Sequence, residues 1–196
     1  MGSKTTRERL RKHRQRDRFR SRIIWGGIVA VVLVLGGILI WRAIRPAAGV
    51  AIPIMPSSRH VLVGEDPGPF NSNPPTSGPH YDSPLTAGFY DQATAAEIGP
   101  YPTGYLVHNL EHGYIVFWYN CEILDEVGCT ELKGQLQEVM SDARNIKVVA
   151  FPWDSIDFPV VATSWGRMQE FESFDTNLAL RFVSSNRNRA PEPQAP

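Results

Sequence analysis

The sequence is poor in cysteine, with only Cys121 and Cys129 among its 196 residues. Seven residues separate the two, so the C-x-x-C spacing of thiol oxidoreductases is excluded. Both follow a predicted membrane span, on the side where the environment permits disulfides. We therefore expect a structural disulfide between them, with a redox pair or a copper site as the alternatives.

The chain also lacks a net charge, because 20 Lys and Arg balance 20 Asp and Glu. The charges are unevenly distributed: residues 1–22 contain ten basic and two acidic residues, and the part beyond the predicted span carries a net charge of −8. We expect 1–22 to be a disordered cytoplasmic tail that contacts anionic lipid headgroups or, alternatively, RNA. An acidic outer part does not favour nucleic-acid binding.

Residues 23–41 contain no charged residue, with Trp25 and Trp41 near the two ends. Nineteen helical residues nearly match the roughly 30 Å hydrocarbon core of a bilayer, so the pattern predicts a transmembrane helix. The basic residues before it place the N-terminus in the cytoplasm. The prediction is a single-pass cell-membrane protein with an extracytoplasmic C-terminal domain. A signal peptide cleaved near 47–49 is the alternative.

Proline divides the outer part, since eleven of the sixteen prolines lie between Pro46 and Pro102. Proline removes a backbone donor and fixes φ, so this stretch contains little helix or central strand. The predicted organisation is a proline-rich linker at 42–58, a domain at 59–185 and a disordered tail at 186–196.

The later sequence is more regular. "GYLVH" and "GYIVFWYN" predict two strands of a hairpin around 109–112, and a helix is predicted from Glu131 to Arg144 with Thr130 as its N-cap. "IKVVAFP", "PVVATSWG" and "MQEFES" predict strands, and Asp175 caps a last helix. We expect an α+β domain with a mixed or mainly antiparallel sheet and two helices, with a thioredoxin-like α/β fold as the alternative.

Four histidines fall in the first half of this domain: His60, His80, His108 and His112. Facing residues of a hairpin have Cβ atoms about 4.5 to 5.5 Å apart, so His108 and His112 would reach one ion. We predict a zinc or copper site formed by the four imidazoles, with Glu111 orienting one of them or serving as a surface carboxylate. Buried histidines that bond backbone carbonyls are the alternative.

His108 to His112 also spell H-x-x-E-H, a zinc peptidase signature. That chemistry needs both histidines on one face of a helix, whereas the flanking residues favour strands. The sequence therefore disfavours a peptidase. A metal-dependent hydrolase that uses His112 and Glu111 remains the third hypothesis.

The segment "NSNPPTSGPHY", residues 71–81, combines turn residues with stiffening prolines. It predicts either a rigid arm that presents His80 or an extended docking segment. The second possibility makes the protein a non-catalytic accessory subunit of a membrane or envelope complex.

Four segments resemble the motifs of a family of bacterial membrane-anchored domains of unknown function: "NPPTSGPHY", "LVHNLEHG" and the later "ATSWGR" and "APE". The resemblance covers roughly residues 60–192 and includes His80, His108, Glu111, His112 and Gly113. It implies that the histidines share one site, and it implies neither an activity nor a cofactor.

Overall fold

The computed structural model describes residues 24–38 and 47–195, and residues 24–38 form helix α1. In these two ranges no helix is long and apolar enough to cross a membrane. The predicted transmembrane helix 23–41 and the single-pass location are therefore wrong. The predicted tail at 1–22 lies outside the described residues.

Ala47–Pro196 forms a compact unit of its own. Its strands are β1 (Val50–Ala51), β2 (His60–Val61), β3 (His80–Tyr81), β4 (Gly88–Phe89), β5 (Ile115–Tyr119), β6 (Val148–Pro152), β7 (Val160–Ser164) and β8 (Arg167–Phe171). Its helices are α2 (Gln92–Ala96), α3 (Pro102–Glu111), α4 (Glu126–Asp142) and α5 (Thr176–Asn186). The expectation of two helices in the domain is wrong.

Six strands form one mixed sheet in the order β1-β8-β7-β5-β6-β4. β6 pairs in parallel with both β4 and β5. The pairs β1–β8, β8–β7 and β7–β5 are antiparallel. β2 and β3 form a separate parallel pair. β1 belongs to the predicted linker 42–58, and its pairing with β8 adds an edge strand to the main sheet.

The sheet is covered on both faces, as the alternation of side chains in β5 shows. Phe117 packs with the apolar residues of α4 and α5, while Trp118 packs on the opposite face with Leu106 and Leu110 of α3. Every residue of β5 is buried. A central strand that is buried on both faces reads as a continuous apolar run, and "IVFWY" has that pattern.

Helix α3 replaces the first strand of the predicted hairpin. Pro102 occupies one of its first two positions, where a missing N–H costs nothing. Gly113 ends the helix with φ +82°, and its N–H donates to the Leu110 carbonyl while that of Tyr114 donates to the Asn109 carbonyl. These are the two bonds of a Schellman motif. The hairpin prediction is wrong because Pro102–Glu111 forms a helix. The glycine at position 113 is the sequence signal for the end of that helix.

The disulfide between Cys121 and Cys129 is present, with Cα atoms 5.2 Å apart, and this prediction is confirmed. It ties the chain after β5 to the first turns of α4. That helix begins earlier than predicted, because Asp125 instead of Thr130 caps it by accepting a hydrogen bond from the Gly128 N–H. The predicted cap of α5 is confirmed, since the Asp175 carboxylate accepts from the Leu178 N–H.

Removing the disulfide is expected to destabilise the domain moderately. The chain-entropy relation for so short a loop gives about 2 to 3 kcal/mol. The Cys121→Ser/Cys129→Ser double variant should show a free energy of unfolding lower by that amount in urea titrations. Reduced wild-type protein is the matched control and should show the same loss, whereas an unchanged free energy would contradict the prediction.

Candidate functional site

Four side chains converge where the β2–β3 pair meets helix α3. One potential ligand atom from each of His60, His80, His108 and Glu111 lies within 4.8 Å of the others. His80, His108 and Glu111 are buried, and His60 is exposed. A buried group of three imidazoles and one carboxylate can hold a metal ion.

Strand pairing brings the first two histidines together. β2 and β3 are parallel, and His60 is the direct partner of His80 in their register. The backbone N–H of His80 also donates to the Arg59 carbonyl at 3.2 Å. The ring centroids of His60 and His80 are consequently 4.8 Å apart.

Helix α3 supplies the other two ligand candidates. His108 and Glu111 are three residues apart, so they share one face of the helix. Gly104 allows this face to approach β3 closely, because a Cβ atom there would lie 2.5 Å from the Tyr81 ring. The buried amide of Asn109 fixes the helix further, accepting from the Leu85 N–H at 2.9 Å and donating to the Leu85 carbonyl at 2.8 Å.

The proline-rich segment before β3 is pinned to the domain. Residues 74–78 are buried. The Thr76 carbonyl accepts from the Gly166 N–H, and the Ser77 hydroxyl accepts from the Met55 N–H. This packing supports the expected arm that presents His80, and it leaves these residues little surface for docking another protein.

Each histidine of the group directs one ring nitrogen to an outer partner. His80 Nδ1 lies 2.8 Å from the Gly78 carbonyl, which only accepts, so Nδ1 donates. His60 Nδ1 faces Asp82 Oδ1 at 3.4 Å, and His108 bonds the Tyr81 backbone. Such partners orient metal-binding imidazoles.

The remaining nitrogens of the two buried histidines face the centre of the group. Among the described residues, His80 Nε2 and His108 Nδ1 are buried and have no hydrogen-bond partner. His80 Nε2 lies 2.9 Å from Glu111 Oε2 without hydrogen-bond geometry. Buried polar atoms are rarely left unpaired, so two converging nitrogens beside a carboxylate indicate a place for a cation.

The electrostatics keep His108 neutral at pH 7. Burial, and to a smaller extent charge on His112, His80 and His60, lowers its pKa to about 4, although the hydrogen bond to the Tyr81 backbone acts in the opposite direction. A neutral imidazole retains the lone pair that binds a metal ion.

This lowered pKa predicts a pH dependence of stability for the metal-free protein. The folded state resists protonating His108 until about pH 4, whereas the unfolded chain takes the proton near pH 6.5. The contribution of His108 to the free energy of unfolding is therefore fully present above about pH 6.5, and it is lost as the pH falls towards 4. Allowing for partial solvation, we expect the free energy of unfolding to fall by about 1 to 2 kcal/mol.

Urea titrations at several pH values would check this, with His108→Gln as the comparison. The variant should show a shallower fall in stability with acidification. Parallel curves for the two proteins would contradict the prediction.

The structure places His112 beside the group, and Glu111 within it. The His112 ring contacts that of His108, with centroids 4.3 Å apart and the planes tilted by 58°, and its Nε2 lies 3.5 Å from Glu192 Oε2. The C-terminal segment reaches this point because the Glu192 N–H donates to the Glu111 carbonyl. Sequence reasoning missed Asp82, which lies just outside the "NPPTSGPHY" motif, and it gave no role to Glu192, the last residue of the "APE" motif.

H-x-x-E-H does lie at the end of a helix, so the strand-based reason for disfavouring a peptidase is wrong. The ligand arrangement nevertheless differs from that signature. In the described part of the chain, the group around the two unpaired nitrogens combines His108 and Glu111 with His60 and His80, and His112 is not in it.

Comparison with known protein families shows a match over most of the domain. A family model described as "Protein of unknown function (DUF3105)" matches residues 66–196. This range contains His80, His108 and Glu111, and His60 precedes it. No curated protein matches the chain. No solved structure matches it either.

Proposed function

This chain belongs to that family of unknown function, and we propose that its domain binds one divalent transition-metal ion, preferably zinc. The ligands are His60, His80, His108 and Glu111. The observation that carries the proposal is the pair of buried nitrogens, His80 Nε2 and His108 Nδ1, that lack hydrogen-bond partners in the described chain and face the group.

The ligand types favour zinc over softer ions. Imidazole and carboxylate suit Zn²⁺, whereas Cu⁺ prefers thiolate and thioether sulfur. Both cysteines are held in the disulfide. Cu²⁺ also binds imidazole and is the strongest competitor by the general order of affinities.

The group needs only a modest contraction to hold the ion. Zinc bonds of about 2.0 to 2.1 Å in a tetrahedron place neighbouring donor atoms about 3.3 Å apart. The donor atoms here lie within 4.8 Å of one another, so rotations of the side chains suffice. Glu111 then neutralises part of the ion's charge in a mostly buried site.

Elemental mass spectrometry on the full chain, purified without a metal-affinity tag or chelator, tests the proposal. We expect close to one zinc ion per chain, or the same ratio after incubation with zinc and desalting. Less than about a tenth of an ion per chain after both treatments would overturn the proposal. Parallel incubation with copper establishes which ion is retained from an equal mixture.

A further inference from the structure

The four ligand candidates differ sharply in their access to solvent. The side chain of His80 is fully buried and that of Glu111 is 9% exposed, whereas that of His60 is 48% exposed. Asp82, which faces the outer nitrogen of His60, is 83% exposed. The site therefore has three inner ligands and one ligand at the surface.

The segment that carries His60 is also the most weakly attached part of the site. Residues 56–66, the His60 segment, are all exposed except the half-buried Val61. Beyond the short pairing of β2 with β3, the Arg59 carbonyl accepts from the His80 N–H and the Glu65 carbonyl accepts from the Tyr81 hydroxyl. His60 can consequently leave an ion without disturbing the buried core.

We infer that the site transfers its metal ion directly to an acceptor that approaches at His60. This inference rests on the proposed metal binding. A nitrogen or sulfur donor of the acceptor bonds to the ion as the His60 nitrogen leaves, and the inner ligands follow. The partner is thus a chelating molecule or a protein side-chain cluster that offers imidazole or thiol donors, and the ion is cargo.

Direct transfer has a kinetic signature that slow release does not share. When an acceptor attacks the bound ion, the transfer rate rises with acceptor concentration. When the ion must first escape from a buried site, the rate stays at the dissociation rate whatever the acceptor concentration. The exposed position of His60 predicts the first behaviour.

The experiment uses the full chain loaded with zinc and mixed in a stopped-flow instrument with 4-(2-pyridylazo)resorcinol, a chromogenic nitrogen and oxygen chelator. We expect the rate of colour formation to increase in proportion to chelator concentration. A rate that does not change over a hundredfold range of chelator would overturn the inference while leaving the zinc site intact. Failure to load zinc would instead overturn the proposed function.

Two variants locate the point of attack. Asp82→Asn removes the outer partner of His60 and is expected to raise the second-order rate about tenfold, the lower end of effects for such partners. Glu192→Gln is the matched control, because Glu192 is also exposed and pairs with His112, which is not one of the proposed ligands. Its rate should stay within about twofold of wild type, and equal acceleration by both variants would overturn the inference.

Discussion

His108→Ala is expected to lower the affinity for zinc by at least about 100-fold, because the substitution removes one of the buried ligands of the proposed site. Loss of a partner that only orients a ligand already costs about 10-fold to 100-fold, so loss of the ligand costs more. His108 Nδ1 is one of the two buried nitrogens of the group that have no hydrogen-bond partner among the residues that the structure describes. Competition titration against a chromogenic chelator measures the change.

Two substitutions distinguish between the two ligand sets. The set predicted from the sequence includes His112, whereas the set that the structure brings together includes Glu111. Glu111→Gln should weaken zinc binding about as strongly as His108→Ala, since Glu111 Oε2 lies 2.9 Å from His80 Nε2. His112→Gln should have a smaller effect, about tenfold or less, because His112 lies outside the four ligand candidates and contacts one of them, His108.

The reverse order of effects would restore His112 as the ligand and refute the set proposed above. Far-ultraviolet circular dichroism on each variant confirms that α3 is still folded. A loss of zinc with a native spectrum then reports on the ligands alone. Retention of wild-type affinity by His108→Ala would leave the histidine cluster with a packing role.

The sequence predicted that the histidines cluster, but the backbone geometry assumed for the cluster was wrong. Clustering and spacing singled out His60, His80 and His108, and the structure brings these three together with Glu111. The proposed geometry depended on a hairpin, whereas the real convergence depends on parallel pairing of β2 with β3. Nineteen residues lie between His60 and His80, so no local sequence pattern indicates that the two are in contact.

Helix α3 shows which local signal was misread. The residues "YLVH" have the β-branched and aromatic character of a strand, and that composition favoured a hairpin. The residues at the two ends of this segment favour a helix instead. Pro102 is suited to a first helical turn, and Gly113 is suited to the position after the C-cap. Close packing of Leu106 and Leu110 on the sheet then decides in favour of the helix.

Strong periodic patterns located the other elements. The predicted strands around "IKVVAFP", "PVVATSWG" and "MQEFES" correspond to β6, β7 and β8, and the N-cap at Asp175 is present. The order of strands in the sheet is a different kind of information. β5 pairs with β6 and also with β7, and this choice depends on tertiary packing that no single segment encodes.

Gly113→Ala is expected to destabilise the domain by about 2 to 5 kcal/mol. A left-handed backbone costs a residue with a side chain about 1 to 2 kcal/mol, and Gly113 has φ +82°. The new Cβ would also lie 2.7 Å from Asn188 Cα and 3.0 Å from Asn188 N, which adds an overpacking cost of about 1 to 3 kcal/mol. Urea unfolding followed by tryptophan fluorescence measures the loss.

Gly134→Ala is the matched control, because Gly134 lies within α4 and a Cβ there would meet nothing within 4 Å. Alanine is the better helix former, so this variant should gain up to about 1 kcal/mol. The same substitution is thus expected to lower the free energy of unfolding at position 113 and to raise it at position 134. Equal effects would contradict the assignment of Gly113 as the left-handed residue that follows the C-cap of α3. Because the Gly113 carbonyl also accepts from the Asn188 N–H, Gly113→Ala should displace the C-terminal segment, and zinc affinity should fall as the end of α3 that carries Glu111 shifts.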